Sequence, residues 1–118
     1  MKRVYIAGAM SSTNPVTFLD NLRKGMRVST EVLLAGFDVF SPFIDFSLFF
    51  QCRGDEQITG PMIKRSSMAW LEVSEAILLV PGWENSPGTA AELARAQELR
   101  IPVFSTLETL SIYFRAVA

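Results

Sequence analysis

Apolar residues in this chain fall into two patterns, short unbroken runs and longer stretches at helical spacing, and the two alternate along its length. Val4-Tyr5-Ile6-Ala7-Gly8 is the first run. Rich in strand formers and ended by a glycine, it predicts a strand buried in a parallel sheet. Asn14-Pro15 then predicts a helix start, with Asn14 as cap and Pro15 at the first helical position, where its missing N–H costs nothing. Phe18, Leu22, Met26, Val28, Val32 and Leu33 follow at roughly helical intervals, and Gly36 supplies the stop. Phe37 to Phe40 reads as a second strand, closing at Ser41-Pro42, and a helix is expected over Met62 to Val73 with Ile63, Met68, Trp70 and Leu71 supplying buried contacts. Glu75 to Val80 is the third strand, and a helix opens at Ser86-Pro87 and ends near Leu99-Arg100. Ile101 to Phe104 is a fourth strand, its Pro102 confined to the first residues or an edge because proline cannot donate to a ladder. Ser105 with Glu108 matches a capping box for a last helix that buries Leu107, Leu110 and Phe114.

Two segments read less clearly. Ala9 to Asn14 is a small-residue loop, either a close approach to a ligand or a plain strand-to-helix turn. Phe43, Phe46, Leu48, Phe49 and Phe50 form an aromatic cluster, either a short helix or lid over a pocket, or a hydrophobic loop packed on the core or a partner subunit. Cys52 to Gln57 is polar and reads as a surface turn.

The alternation argues for an α/β fold. It predicts one domain over residues 1–118, a parallel-sheet sandwich of flavodoxin-like or Rossmann-like type, with four to five strands and helices on both faces. Ligands of such sheets bind beyond the carboxyl ends of the strands. The loops Gly8 to Asn14, Ser41 to Phe46 and Pro81 to Gly88 all fall there and converge in a right-handed arrangement.

Composition narrows the chemistry. A net charge of -1 gives no basic excess for gripping nucleic acid. With no histidine and Cys52 as the single cysteine, Ser-His and Cys-His pairs and an internal disulfide are excluded, and neither metal nor cofactor is expected. Acid–base work then falls to carboxylates. Met1-Lys2-Arg3 leads directly into a strand-like run, and no apolar run approaches membrane-spanning length, so a cytoplasmic protein with no membrane partner is expected.

The third loop ends where helix N–H groups are unpaired. Ser86 adds a hydroxyl and Gly88 removes a side chain where a phosphate oxygen would sit, which makes an anion site; Ser86 as a plain helix cap is compatible with it. Glu92 lies four residues past Gly88, on the same helix face and unshielded from the loop. Two plainer readings stand beside a functional one: a solvated glutamate paired with Arg95, or an acid favoured by the helix dipole. A carboxylate beside a phosphate site can attack or stabilise an electron-poor carbon such as C1′ of a nucleotide. Such a transfer passes through an oxocarbenium-like state and usually needs a second, acidic group for the leaving base.

Tyr5-Ile6-Ala7-Gly8-Ala9-Met10-Ser11, Asn14 with Phe18, Ala35-Gly36-Phe37-Asp38-Val39-Phe40-Ser41-Pro42 and the segment from Leu79 to Glu92 together resemble the nucleoside 2-deoxyribosyltransferase superfamily. The likeness is nearest to a small bacterial and phage branch with a Tyr-Ile-Ala-Gly-Pro-Met start and a Pro-Gly-Trp segment, and it is weakest from Phe43 to Pro61. The resemblance implies N-glycosidic bond cleavage or transfer on a (deoxy)nucleoside or nucleoside 5′-monophosphate, in a homo-oligomer, with Glu92 attacking C1′ and Tyr5 orienting it. Gly8, Ala9 and Met10 would border the sugar and phosphate, and Ser86 with Gly88 would hold the phosphate. Ser41, Pro42, Gly82 and Trp83, from the other converging loops, complete the expected binding surface. One position departs from the pattern. Ser67 stands where many members carry an aspartate that helps bind the sugar or protonate the base, and Asp45 is the candidate to supply the missing carboxyl group. Beside the enzyme reading stand a non-catalytic nucleotide-binding module, a phosphoribohydrolase of the cytokinin-activating type, and an interaction protein using the phenylalanine cluster. An insertion between Pro81-Gly82 and Gly88-Thr89 departs from the phosphoribohydrolase pattern.

Overall fold

The computed structural model describes residues 2–117. Four strands, β1 (Arg3–Ala7), β2 (Asp38–Phe40), β3 (Ala76–Leu79) and β4 (Val103–Phe104), form one parallel sheet in the order β2-β1-β3-β4. Four α-helices connect and flank them: α1 (Pro15–Leu34), α2 (Gly60–Leu71), α3 (Pro87–Leu99) and α4 (Leu107–Val117). Two 3-10 segments, Asp45–Gln51 and Trp83–Asn85, lie in the connections. The expected α/β parallel sheet with helices on both faces is the observed fold, and the strand count is four.

Side chains alternate across β1 and β3, which builds two cores from the same strands. Val4, Ile6, Ala76, Leu78 and Val80 pack with Leu22 and Val32 of α1 and Leu110 of α4. Tyr5, Ala7, Ile77 and Leu79 face the other way, against Leu71 of α2 and Ala96 of α3. Both central strands are therefore buried on both sides, which is why they read as unbroken apolar runs.

Asn14 caps α1 as expected, its Oδ1 accepting from the Val16 and Thr17 N–H groups at 2.9 and 3.2 Å. The buried stripe of α1 differs from the expected one. It runs through Leu22, Gly25, Ser29 and Val32, while Met26 and Leu33 are exposed. The reason is Phe43, which lies against Gly25 so closely that a Cβ there would fall 2.3 Å from its ring. α2 starts at Gly60 because Thr59 accepts the Met62 N–H at 3.3 Å, two residues before the expected start. Trp70, expected to supply buried contacts, stacks on Phe40 at the edge of the sheet while remaining 52% exposed. At α4 the cap is Thr106, whose Oγ1 accepts the Thr109 N–H at 3.1 Å, so the Ser105–Glu108 capping box does not form. Among the described residues no helix is long and apolar enough to cross a membrane.

Candidate functional site

The connection from β1 to β2 runs over one sheet face through α1, and the connection from β3 to β4 runs over the other through α3. The chain therefore leaves the carboxyl ends of β1 and β3 in opposite directions, and a crevice opens between them. A cleft of about 900 Å³ lies there, within the size range of small-ligand sites. The three loops converge on it as expected: Gly8 and Met10 come from the first, Pro42 and Phe43 from the second, Ser86 to Gly88 from the third. The aromatic cluster divides by role. Phe43 is core, Phe46 packs edge-on to Phe18, Phe49 lines the cleft, and Phe50 is 79% exposed.

At the inner wall the Tyr5 hydroxyl donates to Oε2 of Glu92. Tyr5 comes from the middle of β1 and points to the α2/α3 face; Glu92 comes from the second turn of α3. Tyr5 is fully buried. Burial first, then the charge of Glu92 and the bond to it, drive the phenol pKa far upward, so Tyr5 stays a proton-bearing donor. Burial also raises the Glu92 carboxyl, opposed by the Tyr5 bond and by the charge of Lys64. Glu92 does not pair with Arg95, which pairs instead with Glu72 at 2.9 Å and Glu98 at 3.1 Å. Glu92 is the one carboxylate among the described residues lining the cleft, and Oε2 is engaged by Tyr5, which leaves Oε1 free of that bond.

The first turn of α3 forms the adjoining wall. Ser86 Oγ accepts from the Thr89 N–H at 3.2 Å and the Thr89 hydroxyl at 3.0 Å, so its own proton is left to donate into the cleft. Pro87 has no N–H to offer, and the Gly88 N–H has no acceptor among the described residues. A Cβ at Gly88 would have only Ser86 Oγ nearby, at 3.9 Å, so the missing side chain opens space rather than relieving a clash. Gly8 is the opposite case. A Cβ there would meet Val80 at 2.7 Å, so close packing of β1 on the end of β3 accounts for it even as it borders the cleft.

The opposite wall is α2, and here the structure adds residues. Ile63, Lys64, Ser67 and Met68 all line the cleft. Ser67 was expected there; Lys64 was not, although the three-residue step back from Ser67 along a helix puts it on the same face. Thr89, buried and holding Ser86, was also missed. Ser67 is 7% exposed, and its hydroxyl makes no hydrogen bond of normal geometry among the described residues. It is close enough to Tyr5 to offset a small part of the rise in the phenol pKa.

Five expected site residues lie elsewhere. Ser41 is buried and bonded to the Ser29 hydroxyl at 2.8 Å, whose other partner is the Gly25 carbonyl at 2.7 Å, so it ties the end of β2 to α1. Gly82 adopts φ +93°, a left-handed conformation that starts the short 3-10 turn, and does not reach the cleft. Trp83 packs against the Tyr5 and Ile77 core instead. Ala9 is not among the residues lining the cleft; Met10 is, and its carbonyl is held by the Asn21 side chain at 3.2 Å. Asp45 opens the first 3-10 segment, half-buried and off the cleft wall, and burial raises its carboxyl pKa.

Residues 2–105 match a family described as "Domain of unknown function (DUF4406)". A solved structure, described as "Crystal structure of conserved protein from Enterococcus faecalis V583", superposes with a TM-score of 0.63 at 18% identity, over 87% of this chain and 61% of that one. The chain thus spans less than two thirds of that protein, and the likeness supports the fold. No curated protein matches the sequence.

Proposed function

We propose that this chain, which belongs to the DUF4406 family, cleaves or transfers the N-glycosidic bond of a (deoxy)nucleoside or its 5′-monophosphate. The observation that carries the reading is the Tyr5–Glu92 hydrogen bond on the wall of a cleft at the sheet's switch point. The resemblance of the Tyr5 to Ser11 and Leu79 to Glu92 segments to nucleoside 2-deoxyribosyltransferases supports it independently. In this reading Glu92 Oε1 attacks C1′ as the bond to the base breaks. The electron pair leaves with the base, which takes a proton from solvent, and water or a second base then displaces Glu92 from the glycosyl ester. Tyr5 holds the carboxylate by its other oxygen, and Ser86 with the Gly88 N–H faces the phosphate. The reading includes a homo-oligomer, supported by the exposed apolar side chains of Ile44, Leu48 and Phe50.

Base release from a panel of nucleosides and nucleotides, with and without an acceptor base, tests the proposal. Release from at least one member is expected, and none from any would overturn it. A binding module without turnover is the second reading, favoured by the absence of a second carboxylate among the described residues lining the cleft. Calorimetric binding with no base release from the same panel would select it.

A further inference from the structure

We propose that Lys64 is the specificity-determining residue of the cleft, supplying the positive charge that selects a phosphomonoester, a nucleoside 5′-monophosphate, over the neutral nucleoside. The inference rests on the reading of the cleft as a nucleotide site and names which form of substrate it takes.

The argument is one of charge. Glu92 is the single anion lining the cleft and Lys64 the single cation, among the described residues. Without Lys64 the walls would carry one negative charge, and a phosphate dianion entering beside a carboxylate would be repelled. The first turn of α3 alone cannot offset that, because it offers one hydroxyl proton and one N–H, with Pro87 contributing none. Lys64 closes the balance. It makes no ion pair among the described residues, so its ammonium is not committed to a neighbouring acid. It lines the same cleft as Ser86 and Gly88 and lies on α2 three residues before Ser67. Ser67 is a second sign that this wall awaits a ligand, since the residue is 7% exposed, lines the cleft and its hydroxyl makes no hydrogen bond of normal geometry among the described residues. Buried polar groups are nearly always bonded, so one left open on a cleft wall is explained by a partner that arrives with the ligand. Lys64 is exposed, and its charge is still felt at Glu92, in keeping with its place among the cleft-lining residues.

The test is calorimetry of the full chain against AMP, GMP, CMP and UMP, each beside its nucleoside, and against ribose 5-phosphate, for the unaltered protein, Lys64→Gln and Lys64→Arg. Because it reads binding, it stands apart from whether any glycosidic bond is cleaved. The expected result is that the monophosphates and ribose 5-phosphate bind the unaltered protein more tightly than the nucleosides do. Lys64→Gln should weaken them about 10- to 100-fold, the range for a charged hydrogen bond, while changing nucleoside affinity by less than about threefold. Lys64→Arg, which keeps the charge, should restore most of the difference. The preference should also shrink as salt is raised, and should lose that dependence in Lys64→Gln. An unchanged ratio of monophosphate to nucleoside affinity in Lys64→Gln, or equal weakening of both, would overturn the assignment.

Discussion

The two helical walls of the cleft are built on different terms. On α3 the polar groups that shape the site are already engaged: Tyr5 holds Glu92, and Thr89 holds Ser86 by two bonds. On α2 they are not: Ser67 makes no hydrogen bond of normal geometry and Lys64 no ion pair among the described residues. The α3 wall is organised before any ligand arrives and suits groups that must act in a fixed geometry. The α2 wall holds polar capacity in reserve and suits groups that recognise. In the proposed reading the reacting carboxylate belongs to α3 and the selecting charge to α2, and substitutions should separate the two.

The largest effect is expected on the α3 side. Glu92→Ala should reduce base release by roughly 10³-fold or more, the order lost when a nucleophile is removed, with the fold intact by circular dichroism. Retention of more than a tenth of the activity would break the contrast. Next comes Tyr5→Phe, which keeps the buried ring and removes the donor. It should cut turnover by about 10- to 100-fold and cost about 1 kcal/mol of stability in urea titration. The Tyr5 bond is what holds the Glu92 pKa down against burial, so the acid limb of the pH–rate profile should move to higher pH in this variant.

The same carboxyl sets opposed slopes for activity and stability. Burial raises Glu92 above its unfolded value, so its stabilising contribution is complete below the unfolded pKa and is lost as pH rises through the folded one. Attack on C1′ needs the ionised form, so turnover should rise over the window in which stability falls. Thermal melts of the unaltered protein and Glu92→Gln across that window check the sign. The decline assigned to Glu92 should be absent in the variant, and a steeper one would contradict the burial argument. The smallest effect belongs to α2. Ser67→Ala removes a buried hydroxyl with no hydrogen bond of normal geometry among the described residues, so stability should hold or rise by up to about 1 kcal/mol, while ligand affinity falls. Destabilisation beyond that would mean the hydroxyl has a structural role.

The contrast also marks what the sequence discloses. The α3 wall was legible because its chemistry is contiguous: Ser86, Gly88 and Glu92 lie within one turn or two of each other, after a strand that reads as buried. Tyr5 and Glu92 are far apart in the chain but share a resemblance that joins them. The α2 wall was half legible, through Ser67 alone. Lys64 sits in an unremarkable polar stretch, and only the docking of α2 over the carboxyl edge turns its face inward. Core packing concealed more. Gly25 and Ser29 interrupt the apolar stripe of α1, yet they are two of its four buried positions, because Phe43 needs a surface without a side chain and Ser41 needs a hydroxyl. Ser41, Gly82 and Trp83 fall in loops that converge on the cleft but serve the joints behind it, a distinction that spacing does not carry.

The central claim is that Glu92 forms the bond to C1′. Acid quench of the enzyme during turnover of a nucleotide it cleaves, followed by peptide mass spectrometry, tests this most directly. The account predicts a glycosyl ester on the peptide containing Glu92, absent from Glu92→Gln. An adduct on another residue, or base release from Glu92→Gln at the unaltered rate, would contradict it.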